Sequence, residues 1–84
     1  MYYVYILRSE KNGRYYTGYS EDPDRRLTEH NAGKVKSTKP FRPWVKVFVE
    51  IFQTEIEAVQ RERYLKSMKS RAYLEKLMID TSRS

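Results

Sequence analysis

Cysteine is absent from the 84 residues of this chain. That excludes a disulfide framework and any thiolate metal site, so packing alone must hold the fold. It also agrees with a reducing, cytoplasmic setting as the expectation. No uninterrupted apolar stretch is long enough to cross a bilayer, and the N-terminus lacks the basic region followed by an apolar core that marks a leader. The chain therefore reads as soluble, with no membrane partner. Internal repeats, low-complexity tracts and interdomain linkers are missing too, and neither a zinc finger nor a recognition helix is present to read a base sequence. At this length one small domain with one core is expected, burying roughly 60 to 65% of the surface that the unfolded chain exposes.

What the chain has in excess is positive charge. Seventeen Lys and Arg stand against eleven Asp and Glu, a formal charge of +6, in a chain with eight tyrosines. Such an excess favours a polyanionic partner, because each phosphate neutralised by a cation releases condensed counterions. A solubilising surface or an acidic membrane are the plainer explanations of the same charge.

The pattern of residues suggests an α+β fold, an α/β sandwich in which a small, three-stranded, mainly antiparallel sheet is flanked by helices in the order β-β-α-β-α-α. Tyr2 to Leu7 is apolar on both faces, as a central strand should be. Lys11-Asn12-Gly13 supplies a hairpin turn, and Tyr15 to Tyr19 returns antiparallel. Asp22-Pro23 opens a helix that Gly33 ends, with Leu27 facing the core and Arg26 and His30 at its margin. Lys34 to Pro43 has loop composition. Trp44 to Phe52 alternates as a third strand, with Val45, Val47, Val49 and Ile51 on one face and Trp44, Phe48 and Phe52 on the other. Thr54-Glu55-Ile56-Glu57 has the capping-box pattern and starts a helix through about Lys66. Ser70 caps a last helix whose apolar stripe is Tyr73, Leu74, Leu77 and Met78. The domain is expected to span residues 1–79, followed by a polar, frayed tail over 80–84.

Glu62 is the most anomalous residue of this pattern. It falls within the apolar stripe of its helix, where an unpaired carboxylate would be costly enough to protonate or find a partner. Lys66, four residues on, is the structural explanation; metal binding or catalysis is the functional one. Arg26 and His30 share one helical face and suggest either a solvated surface or a phosphate contact. Tyr5 and Tyr16, taken alone, are strand aromatics that serve packing.

Taken together and in order, these residues carry a resemblance. Tyr3-Val4-Tyr5, Tyr16-Thr17-Gly18, the phrase Arg26-Leu27-Thr28-Glu29-His30-Asn31-Ala32-Gly33, Arg42-Pro43-Trp44, and Ala58 followed by Arg61-Glu62 and Lys66 resemble the GIY-YIG nuclease domain. The likeness is greatest to the small single-domain bacterial branch of that superfamily, and extends to the nuclease domain of the excision-repair incision subunit. It covers residues 1 to about 79. Tyr3 replaces the first glycine of the signature and Thr17 its later isoleucine. The Asn that some family nucleases carry in the last helix is absent from Leu74 to Met78 and has no assigned replacement, with Lys66 and Lys76 as the candidate phosphate contacts.

The resemblance implies metal-assisted hydrolysis of a DNA phosphodiester, with RNA as an alternative polyanion, and a site of Tyr5, Tyr16, Arg26, His30 and Glu62. Glu62 would hold Mg²⁺, for which Mn²⁺ may substitute, since this cation keeps several waters and takes phosphate oxygens as ligands. Arg26 would neutralise charge at the phosphorane; one such donor is worth on the order of 3 kcal/mol. The general base is Tyr5, Tyr16 or His30. A phenol of pKa about 10 is only about 0.1% ionised at pH 7, whereas imidazole titrates near about 6.5. Gly18 would leave room for substrate or a close backbone contact. Lys34, Lys36, Thr38, Lys39, Arg42 and Lys66 would contact the nucleic-acid backbone, which positions a duplex without reading its sequence. A structure-directed nickase, or one directed by a partner protein or homodimer, is the expectation. A nucleic-acid-binding module with little turnover is the alternative.

Overall fold

Strand β1 (Tyr2–Ser9) is apolar on both faces because both are covered. Val4, Tyr5, Ile6 and Leu7 are each at most 1% exposed. The computed structural model describes residues 1–68 and 71–82, and it places β1 at the centre of an open three-stranded sheet. On one side it pairs antiparallel with β2 (Tyr15–Ser20), on the other with β3 (Trp44–Phe52). The turn between β1 and β2 follows from its residues. Gly13 takes the positive φ of 77° that other residues resist, and Asn12 Oδ1 accepts the Arg14 N–H at 3.0 Å.

The helices lie on both sheet faces. Helix α1 (Pro23–Asn31) begins at Asp22, whose Oδ1 accepts the Arg25 N–H at 3.0 Å, and stops before Gly33 at φ 79°. It covers the face where Tyr5, Leu7 and Trp44 form a cluster with Tyr16, Leu27 and Phe41. Helices α2 (Glu55–Met68) and α3 (Arg71–Ser82) cover the other face, where Val4, Ile6, Phe48, Ala58 and Leu65 form the larger core. Thr54 caps α2, accepting the Glu57 N–H at 3.3 Å. Tyr73, Leu74, Leu77 and Met78 of α3 pack against this core, as their spacing suggests. The cap expected at Ser70 lies outside the described residues. Helix α3 runs past Asp80 to Ser82, where a frayed tail was expected; no Gly or Pro follows Met78 to end it sooner. Among the described residues, no helix is long and apolar enough to cross a membrane.

Strict alternation along β3 does not hold. Ile6 pairs with Phe48 but Leu7 with Lys46, so Val47 is an extra residue in the ladder. One inserted residue moves the side chains beyond it to the opposite face. Phe48 therefore enters the α2 core while Trp44, expected beside it, enters the α1 cluster. The valines do not make a buried face either, for Val47, Val49 and Ile51 are 37%, 42% and 57% exposed. The bulge lets one edge strand supply an aromatic to each core.

The segment between α1 and β3 is loop apart from one 3₁₀ turn at Lys39–Phe41. Asn31 closes it. Its Oδ1 accepts the Trp44 N–H at 2.7 Å and its Nδ2 donates to the Trp44 carbonyl at 3.0 Å, so the amide imitates a neighbouring strand. Substituting Asn31→Ala leaves both Trp44 backbone groups unpaired. A loss of about 1–3 kcal/mol is expected, read as a lower urea midpoint at unchanged slope.

Candidate active site

The hairpin places the two tyrosines. Tyr5 is opposite Gly18 in the ladder, and its ring lies across that residue. A Cβ on Gly18 would sit 2.7 Å from Tyr5 Oη, 2.9 Å from Cζ and 3.1 Å from Tyr16 Cε2. The glycine is thus a seat for the Tyr5 ring. Tyr16 stands beside it, ring centroids 6.3 Å apart, and is flanked by Trp44 at 6.4 Å.

Arg26 and His30, one turn apart on α1, face these rings. Arg26 hydrogen-bonds to Glu29, three residues on, and its charge acts on the Tyr5 phenol. The pairing holds Glu29 below the ordinary carboxylate range. His30 was expected at the margin of the core and is instead fully buried, its ring 4.8 Å from that of Tyr16 and 6.4 Å from that of Tyr5. The loop before β3 encloses it, with Nδ1 2.8 Å from Thr38 Oγ1. Burial, reinforced by the Arg26 charge, lowers the His30 pKa, so the imidazole is neutral at neutral pH.

Glu62 arrives from α2, which packs on β1 and β2. Its side chain is 16% exposed, and the expected Lys66 partner stands 3.6 Å from Oε2, too far for a strong hydrogen bond. The charge of the carboxylate is felt at Tyr5, as the smallest of the influences on that phenol. Burial is the main reason the Tyr5 pKa is raised; Arg26 opposes the rise, while Tyr16 and Glu62 add to it. The Tyr5 phenol therefore keeps its proton at neutral pH, the reverse of what a tyrosinate base needs.

The outer cations divide into groups. Lys66 lines a cavity of about 370 Å³ with Tyr15, Tyr16, Thr17, Leu65, Arg71 and Leu74. Lys39 and Arg42 line another, of about 530 Å³, with Lys11, Asn31, Pro40 and Pro43. Arg42 is held there by the Lys39 carbonyl at 3.0 Å, and Lys11 by the Pro40 carbonyl at 3.1 Å. Lys34, Lys36 and Lys76 are exposed. Thr38 does not belong with these residues. It is 2% exposed and turned inward to His30, hence inaccessible to a nucleic-acid backbone. Sequence reasoning missed Lys11, which only the folded loop brings to the cavity, and Glu29, whose spacing from Arg26 was a usable signal.

A sheet seats two tyrosines over a glycine, faced by an arginine and a histidine from one helix. The chain belongs to the GIY-YIG catalytic domain family, whose model matches residues 1–84. Within that family it is similar to UPF0213 proteins. One from Staphylococcus saprophyticus is 42% identical over 67 residues, 79% of this chain and 80% of the relative. Another from Halobacterium salinarum is 41% identical over 78 residues, 92% and 99% of the two chains. The solution structure of a UPF0213 protein from Bacillus halodurans matches with a TM-score of 0.56 at 39% identity, covering 92% of this chain and 82% of that one.

Two outcomes follow from this geometry. In Gly18→Ala the added methyl must displace the buried Tyr5 ring, and a loss of about 1–3 kcal/mol is expected in chemical denaturation. Second, the unfolded chain protonates its histidine near pH 6.5 while the folded chain resists doing so. The unfolded state then binds more protons as pH falls below about 6.5, so stability is lost in that direction. Thermal midpoints recorded from about pH 7.5 down to 5 should fall for wild type, and fall less for His30→Gln.

Proposed function

We propose that this protein is a divalent-metal-dependent endonuclease that nicks DNA, directed by DNA structure or by a partner rather than by base sequence. The observation that carries the reading is the buried Tyr5 phenol, seated over Gly18 and acted on by the charges of Arg26 and, more weakly, Glu62. A cation, a phenol and the charge of a carboxylate, from three separate elements, are groups suited to holding and polarising a phosphodiester.

Among the described residues, no three His, Asp or Glu side chains cluster to enclose a metal. Glu62 offers a single carboxylate, loosely paired with Lys66, and this donor set fits Mg²⁺ or Mn²⁺ completed by water and phosphate oxygens. When bound, such an ion supplies Lewis-acid stabilisation of the phosphoryl and leaving oxygens. The rest falls to the chain. Arg26 neutralises charge building on the phosphorus oxygens, held in place by Glu29. Tyr5, protonated, orients the attacking water or the phosphate through its hydroxyl. His30, neutral and next to the tyrosine rings, receives the proton. Lys11, Lys39 and Arg42 around their cavity, with Lys34 and Lys36 outside it, hold the backbone by charge alone.

Purified protein with supercoiled plasmid and branched DNA, in Mg²⁺ or Mn²⁺, tests the reading. Wild type should nick, Glu62→Gln should lose detectable nicking, and Arg26→Ala should fall roughly a hundredfold or more. Wild type no faster than Glu62→Gln on every substrate would remove the enzyme reading. The raised Tyr5 pKa favours the alternative of a binding module, which predicts low-salt DNA retention that survives Glu62→Gln.

A further inference from the structure

His30 is the one histidine of the chain, and it presents a problem of hydrogen bonding. Its Nε2 is buried with no hydrogen-bond partner, and among the described residues no other buried side-chain nitrogen or oxygen is in that state. Such a group is disfavoured in a protein interior unless it has a use. The other ring nitrogen is occupied by Thr38 Oγ1 at 2.8 Å.

A threonine hydroxyl has one proton to give and lone pairs to accept with. Thr38 Oγ1 lies 3.3 Å from the Val35 carbonyl, which can only accept. Once the hydroxyl proton points there, Oγ1 must accept from the imidazole. That carbonyl also accepts the Thr38 N–H at 3.2 Å and the Lys39 N–H at 3.0 Å, and the hydroxyl itself can turn, so the choice is made at the ring. A proton on Nε2 would be a buried donor with no acceptor, whereas a proton on Nδ1 is donated to Thr38 Oγ1. A neutral imidazole carries a single N–H. With that proton on Nδ1, Nε2 is left as a bare lone pair.

We infer that Thr38 is a positioning residue that locks His30 in the Nδ1–H tautomer, so that Nε2 is the proton-accepting atom of the site. The titratable and charged groups around the ring are Tyr5 from β1, Tyr16 from β2, and Arg26 and Glu29 from α1. The tautomer stands without any assumption about activity; its use in turnover rests on the nuclease reading above.

With a single histidine, the ring signals need no assignment. In a long-range ¹H–¹⁵N correlation spectrum of the full chain, Nε2 is the nitrogen coupled to both carbon-bound ring protons. At about pH 7 it should show the shift of an unprotonated nitrogen, and Nδ1 that of a protonated one. The reverse pattern, or an averaged one, in wild type overturns the inference whether or not the protein cleaves DNA. Thr38→Ser should keep the wild-type pattern and Thr38→Val should lose it. In the nicking assay Thr38→Ser should retain activity, while Thr38→Val falls roughly tenfold to a hundredfold. A folded Thr38→Val with an altered tautomer but unchanged nicking would overturn the positioning role. Wild type that does not nick, yet shows the expected ring pattern, would overturn the nuclease reading and leave the tautomer lock standing.

Discussion

The ring of Tyr5 lying across Gly18 is the contact on which the α1 face of the molecule depends. Because the strand opposite has no side chain at that point, a large aromatic on the central strand can lie flat over its neighbour. Its hydroxyl then reaches the place where Arg26 arrives from one helix and the charge of Glu62 is felt from another. Any bulk at Gly18 would lift the ring and separate these groups. The same crowding holds Tyr16 against His30 and Trp44, so one missing side chain organises a whole layer of aromatic contacts.

The electrostatics of that layer follow from its burial. Tyr5 and His30 are both pushed toward their neutral forms, one upward and the other downward in pKa, since low polarity disfavours charge of either sign. Arg26 escapes the same fate because it is held between Glu29 and the Tyr5 phenol. The result is one fixed cation among neutral rings, with a carboxylate at the edge on α2.

Much of this was legible in the chain because it depends on local chemistry. Asn12-Gly13, Asp22-Pro23 and Thr54 each act through atoms a few residues away, so the elements begin and turn where these residues stand. The four-residue spacing of Arg26 and His30 put them on one face for the same reason. What sequence reasoning could not see was the fate of β3. A bulge at Val47 arises from its pairing with β1, and no period in the strand's own residues announces it. Thr38 was misread on similar grounds: a threonine in a basic loop looks exposed until the loop folds back and its hydroxyl meets a buried imidazole.

By itself the sequence determined the order of the elements and the central place of β1, and it put forward most of the residues proposed for the site, since each follows from turn chemistry, apolar runs and residue spacing. Only the tertiary structure decided how those residues share protons and charge. Whether His30 is at the margin or buried, whether Tyr5 is ionised, and whether Thr38 faces solvent or a ring nitrogen are set by what packs around each group. Burial and hydrogen-bond direction belong to the assembled layers, and no stretch of chain carries them alone.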